Sequence, residues 1–246
     1  FISSFKDNSQ IFSAFLIPSF RPVFDNYVMA QKMAGILRAT ADSLLVSISA
    51  IAIMLLFCTM AGYVTARKKV PFASAFSGLL IAALMIPIQS AIVPIVQMVS
   101  SLGLKNHLWT LTIIYAGLNM ALVFFIMKNY IEGIPSDLDE AAMIDGCSRF
   151  QAYWRIILPF SLPGVASVGV FTLMNVWNEY TIASIFIQDK NLRTLSVGIR
   201  QFMMQNTTDW ASMSAAATIA VLPAFVMIIF AQKYLVGGLT SGSVKG

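Results

Sequence analysis

Residues 70–104 contain no Asp, Glu, Lys, Arg or His. A water-soluble domain of ordinary size has no place for so long an uncharged apolar run, whereas a helix crossing the hydrocarbon of a bilayer needs about 20 such residues. Four further runs meet the same condition: 43–66, 108–127, 156–178 (continuing past Glu179 to about 187) and 210–232. With 58% of the residues hydrophobic and 11% charged, the chain cannot keep its apolar surface out of water. Strands of a membrane barrel would alternate apolar and polar residues, and these runs do not. The expected fold class is an all-α integral membrane protein, a polytopic helical bundle with five spans in one domain, 1–246.

The run 70–104 is too long for one straight crossing at about 1.5 Å per residue, and Pro87 and Pro94 mark where it should kink. The net charge of +5 belongs to loops at lipid headgroups rather than to a nucleic-acid surface, so membrane lipid is expected as a partner and nucleic acid is not. Arg67, Lys68 and Lys69 against the single Lys105 place 67–69 on the cytoplasmic side. Carried through five spans, that choice puts the polar loop 129–162 and the C-terminus in the cytoplasm, although basic residues then divide eight and eight between the two sides. Cys58 and Cys147 have no metal-ligand spacing and lie in unlike surroundings, so neither a metal site nor a disulfide is expected. The start FISSF followed by KDNSQ shows no signal-peptide pattern.

The loop IPSDLDEAAMIDGCSRFQAYWRIILPFSLPG gathers four of the chain's eleven acidic residues, Asp137, Asp139, Glu140 and Asp145, within nine positions. Ser136 is a good N-cap, and Asp137 and Asp139 fall in the first turn, where the helix dipole favours anions. Glu140, Ala141, Ala142 and Met143 continue a helix, and Gly146 suits a left-handed stop. RFQAYWRIILP then reads as a second short helix stopped by Pro159. Physics alone leaves two readings open: an amphipathic hairpin on the membrane surface, or a rigid knob whose small Ala141 and Ala142 surface another protein could approach.

Glu140, Ala141, Ala142, Gly146, Ile156, Leu158 and Pro159 fill the pattern Glu-Ala-Ala, three residues, Gly, nine residues, Ile-x-Leu-Pro. This resembles the loop motif of the permease subunits of bacterial ATP-binding-cassette importers. The FISSFKDNSQIF start, NVWNEY at 175–180 and the GLTSGSVKG ending resemble the carbohydrate-uptake branch, in particular the second permease subunit of maltose-type and multiple-sugar transporters. The resemblance implies a type I importer permease fold with six spans, so that a first span would be absent from these residues. It also implies a second, distinct permease subunit, two cytoplasmic ATPase subunits that bind ATP and Mg, and an extracytoplasmic solute-binding protein. The chain itself would be non-catalytic, in the plasma membrane, and its Glu-Ala-Ala helix a coupling helix for alternating access. On that reading Ala141, Ala142 and the Gly146 turn set the fit to the ATPase, and Glu140 with Asp145 supplies polar contacts at the rim. A permease for a non-sugar solute, or a channel or scaffold without ATP coupling, are the alternatives.

The ending GGLTSGSVKG lacks the P-loop order, since Gly242 is followed by Ser243 and Lys245 comes two positions late. The one histidine, His107, has no catalytic context. For a translocation path, Thr172, Asn175 and Glu179 fall on one helical stripe at spacings of three and four, and a charge inside a span usually faces a wet interior; helix-to-helix glue is the equal alternative. Tyr115 with Asn119, and Gln89 with Gln97 beside the prolines, are weaker candidates, for which packing is the simpler reading. Trp177 lies opposite Asn175 and is not assigned to sugar stacking.

Overall fold

The computed structural model describes residues 1–13, 21–67, 70–203 and 208–241, and no strand occurs among them. Lys68, Lys69 and the end from Gly242 to Gly246 lie outside the described residues. The main helices are α1 (Asp25–Ala34), α2 (Ile36–Ala66), α3 (Ala73–Leu84), α4 (Ile88–Ser101), α5 (Leu108–Glu132) and α6 (Asp137–Ile144). They continue as α7 (Arg149–Phe160), α8 (Leu162–Trp177), α9 (Thr181–Phe186), α10 (Leu195–Arg200) and α11 (Trp210–Ser241).

Three helices, α2, α5 and the part of α11 at Trp210–Ile229, are each long and apolar enough to cross a membrane. The pairs α3–α4 and α7–α8 meet the same test only jointly, bent by 99° and 70°, and counting each as one crossing gives five. The kink expected in 70–104 is therefore a break just before Pro87. There Met85 and Ile86 bond back three residues to Ala82 and Ala83, and proline has no N–H to carry the ladder on. Pro94 stays inside α4. The crossing expected at 43–66 begins earlier, at Ile36, and takes in Arg38 and Asp42.

The stop expected at Pro159 comes one residue later: α7 carries Pro159 within it and ends at Phe160, residues Tyr153–Ile157 form a wide π-turn ahead of the ring, and the break falls at Ser161. The helix carrying Thr172 and Asn175 ends at Trp177, so the continuous stripe through Glu179 is not formed.

Contacts divide the chain into two compact units. The first comprises Phe1–Ser47, Met98–Leu111 and Met174–Met227. Its core is small and alanine-rich, with Ala30, Ala34, Ala215 and Ala216 packed around Ile36, Trp177 and Phe202. Small residues let helices approach closely where lipid offers no hydrophobic drive. Gly35 takes φ 55° to turn α1 into α2, and the Gln31 side chain accepts from the Leu37 N–H at 3.0 Å across that turn. Ser43 Oγ accepts from the Leu195 N–H at 2.8 Å, tying α2 to the start of α10.

The second unit comprises Ile48–Gln97, Thr112–Leu173 and Ile228 onward. In it α2 and α5 lie backbone to backbone: a Cβ on Gly62 would come within 3.1 Å of the Lys128 nitrogen. Ser49 and Thr112 share a hydroxyl bond at 3.0 Å, and Cys58 Sγ donates to the Met120 carbonyl at 3.3 Å. Ile131, Ile134 and Ile157, all buried, form a cluster with Tyr63 and Leu138 beneath the α6–α7 hairpin.

Candidate functional site

Helix α6 starts with Asp137, Asp139 and Glu140 in its first turn, which suits the positive end of the dipole. The Ser136 side chain makes no cap bond; its carbonyl instead accepts from Asp139 N at 2.9 Å and Glu140 N at 3.2 Å. The other end is as expected. Gly146 adopts φ 84°, with Gly146 N donating to Met143 O at 3.1 Å and Cys147 N to Ala142 O at 2.9 Å. These two bonds close a Schellman turn, which leaves few orphan carbonyls at the reversal. The next helix is then started by Ser148: its hydroxyl accepts from Gln151 N, and the Gln151 side chain accepts from Ser148 N at 2.7 Å. Ser-x-x-Gln is a capping box, a signal the sequence carries at Ser148 and Gln151.

What fixes the hairpin is Asp139. It is 2% exposed, its Oδ2 lies 2.6 Å from Arg67 Nε, and its Oδ1 accepts from the Tyr63 hydroxyl at 2.7 Å. Arg67 Nη1 reaches the Ile131 carbonyl at 3.4 Å, while Nη2 is buried with no hydrogen-bond partner. The second arm is held as well: the Tyr153 and Thr59 hydroxyls are 2.7 Å apart, and the Tyr63 and Tyr153 rings sit 5.5 Å apart. Beside this clamp lies a groove of about 460 Å³ lined by Arg67, Glu132, Ser136, Asp139 and Glu140.

The outer face of the hairpin differs in one respect from expectation. Ala142 is 3% exposed and packs inward, so only Ala141 of the pair contributes a small surface. The eight-residue helix turns Asp139 and Ala142, three apart, onto one face. Glu140, Asp145 and Gly146 are exposed. Ile144, 85% exposed, and Phe150 stand out beside them, giving an apolar tip with an acidic rim. Only the phase of the packed helix brings these residues to one tip, which the sequence pattern alone does not show.

The candidate path residues are dispersed. Thr172 is 2% exposed and its Oγ1 is buried without a partner, whereas Asn175 is exposed. The Glu179 carboxylate accepts from Ile182 N at 2.9 Å and Ala183 N at 3.1 Å, so it caps the start of α9. Tyr115 is buried, and the Asn119 side chain donates to the Tyr115 carbonyl at 2.9 Å along its own helix. Gln89 and Gln97 are exposed, and Trp177 lies in the alanine-rich core. His107 is exposed, its ring nitrogen 2.8 Å from the Lys105 carbonyl.

Residues 58–241 match the family described as "Binding-protein-dependent transport system inner membrane component". The chain is 35% identical to the probable ABC transporter permease protein YurM of Bacillus subtilis, over 100% of this chain and 81% of that protein. It is 34% identical to the probable starch degradation products transport system permease protein AmyC of Thermoanaerobacterium thermosulfurigenes, over 99% of this chain and 89% of that one. Among solved structures, a chain of a bacterial ABC transporter involved in import of the acidic polysaccharide alginate superposes with a TM-score of 0.81 at 18% identity, over 95% of this chain and 88% of that one.

Proposed function

This chain belongs to the binding-protein-dependent transport system inner membrane components, and we propose that its place among them is the permease subunit of an ATP-driven sugar importer. The α6–α7 hairpin is its coupling element, on the cytoplasmic side. Two ATPase subunits bind ATP and Mg, a second and distinct permease subunit completes the pathway, and an extracytoplasmic binding protein delivers solute. ATP hydrolysis occurs on the partners, and this chain is not catalytic. Closure of the ATPase pair moves the docked hairpin, and the bundle changes from inward- to outward-facing as a rigid-body step. A sugar is the solute class, supported by a relative named for starch degradation products.

One observation carries this reading. The hairpin is capped at Ser148, closed by Gly146 and pinned from inside by Asp139, yet it presents Glu140, Ala141, Ile144 and Asp145 outward. A surface-lying hairpin needs no buried ion pair; an element that receives force from another protein does. With the ATPase and binding protein in proteoliposomes, Gly146→Trp or Glu140→Lys is expected to abolish assembly or transport-linked hydrolysis, and unchanged values for both would sink the coupling reading. Uptake of labelled mono-, di- and trisaccharides tests the solute class, and failure of all three removes it.

A further inference from the structure

Thr59, Tyr63 and Arg67 follow one another at intervals of four: Thr59 and Tyr63 share a face of α2, and Arg67 stands on the turn just past its end, its N–H bonded back to the Tyr63 carbonyl at 3.2 Å. Every one of them bonds to the hairpin. Thr59 reaches Tyr153 on the second arm at 2.7 Å, and Tyr63 reaches Asp139 on the first at 2.7 Å. Arg67 reaches the same carboxylate at 2.6 Å through its other oxygen. The Tyr63 ring also leans on Tyr153 at 5.5 Å. Both arms of the hairpin are therefore held by one stripe of one spanning helix.

We propose that this stripe is the receiver through which movement of the hairpin enters the membrane, so that α2 is the helix driven by the ATPase cycle. The proposal rests on the coupling reading above and assigns to it a transmitting set of residues. Three features of the contact carry it. Apolar side chains can slide past one another, but hydroxyl and charge-assisted bonds fix distance and direction and so resist displacement either way. The pair is nearly out of solvent, with side-chain exposures of 8% and 3%, so water does not compete for it. Lys128–Glu132, by contrast, is half-open at 22% and 38% and stays within one helix. Finally, Gly62 lies between Thr59 and Tyr63 in sequence and brings α2 against the backbone of α5. A displacement of α2 is thus shared by α5.

Thr59, Tyr63 and Arg67 are positioning residues, and their signature is a change in the ratio of solute moved to ATP hydrolysed. The experiment uses the complete complex with its ATPase and binding protein in proteoliposomes. Tyr63→Phe, Arg67→Gln and Asp139→Asn are each expected to co-purify with the ATPase and to lower that ratio by roughly 2- to 30-fold, the range by which residues along coupled networks act. Exchange of the two charges, Arg67→Asp with Asp139→Arg, is expected to recover part of the loss. Wild-type ratios in the assembled single variants overturn the proposal. If the charge variants do not accumulate, Tyr63→Phe, which deletes one hydroxyl, still decides it. Glu140→Lys and Gly146→Trp are run alongside: if they too leave assembly and transport intact, the coupling reading has failed, whereas their loss with intact Tyr63→Phe and Arg67→Gln refutes the receiver alone.

Discussion

Replacing Asp139 by alanine removes the carboxylate from two bonds, those from Arg67 Nε at 2.6 Å and Tyr63 at 2.7 Å. It leaves a guanidinium with 8% of its side chain exposed and only the Ile131 carbonyl, at 3.4 Å, within reach. Nη2 is already without a partner, so the site has no spare acceptor to offer. Breaking a buried pair from one side costs about 3–5 kcal/mol, because the remaining charge stays desolvated. Removing both charges is different. Arg67→Met with Asp139→Leu keeps the volume apolar and is expected to fall within about 1 kcal/mol of wild type or to exceed it in stability. A double-mutant cycle by SDS titration in mixed micelles, followed by circular dichroism, therefore gives a double variant much more stable than the sum of the single losses requires. Lys128→Ala, at the exposed pair, should cost no more than about 0.5 kcal/mol in the same assay. An Asp139→Ala loss below about 1 kcal/mol, or simple additivity in the cycle, would refute the assignment of the hairpin's anchorage to this pair.

Gly146 has open space around a Cβ but a φ of 84°, so Gly146→Val is expected to destabilise by about 1–2 kcal/mol through backbone strain alone, and Gly146→Asn by less; the same titration reads both. At Glu179, loss of the cap on Ile182 and Ala183 makes Glu179→Ala cost about 1 kcal/mol, and Glu179→Gln, which keeps one acceptor, less. Transport lost in Glu179→Gln at full stability would instead return the residue to the solute path. Burial pushes the Asp209 carboxyl up, but hydrogen bonds from Ser212, Asn8 and Ala211 outweigh it and hold the group below its ordinary value. A folded pKa below the unfolded one gives stability that is complete above the unfolded value and is lost as pH falls through the folded one. Acid should therefore loosen the Asn8–Asp209 contact first below about pH 4, and Asp209→Asn should flatten that dependence in hydrogen exchange of the residue 8–13 segment.

The spans were legible because charge-free length is a local property: 108–127 and 210–232 reappear in α5 and α11, with ends moved by a few residues. The hairpin was legible for a similar reason, since acidic first turns and a glycine stop act within four residues. The clamp was not, because Arg67 and Asp139 are 72 positions apart and only packing brings them together. Nor was the inward turn of Ala142, for the phase of an eight-residue helix is set by what it leans on. The stop near Pro159 was legible to within one residue; the π-turn ahead of it was not, since the rule for proline assumes a four-residue ladder. Glu179 misled because a stripe drawn on a helix holds only while the helix lasts, and α8 ends at Trp177.

The two cysteines acquire a practical meaning from this arrangement. Cys58 is buried against the Met120 carbonyl, while Cys147, the residue that completes the Schellman turn, is only half-buried. A water-soluble maleimide thus meets one thiol and not the other, in the unaltered chain. That thiol stands in the reversal between the two arms, one residue past the glycine. This corner is thus supplied with its own fluorophore attachment point for watching its movement.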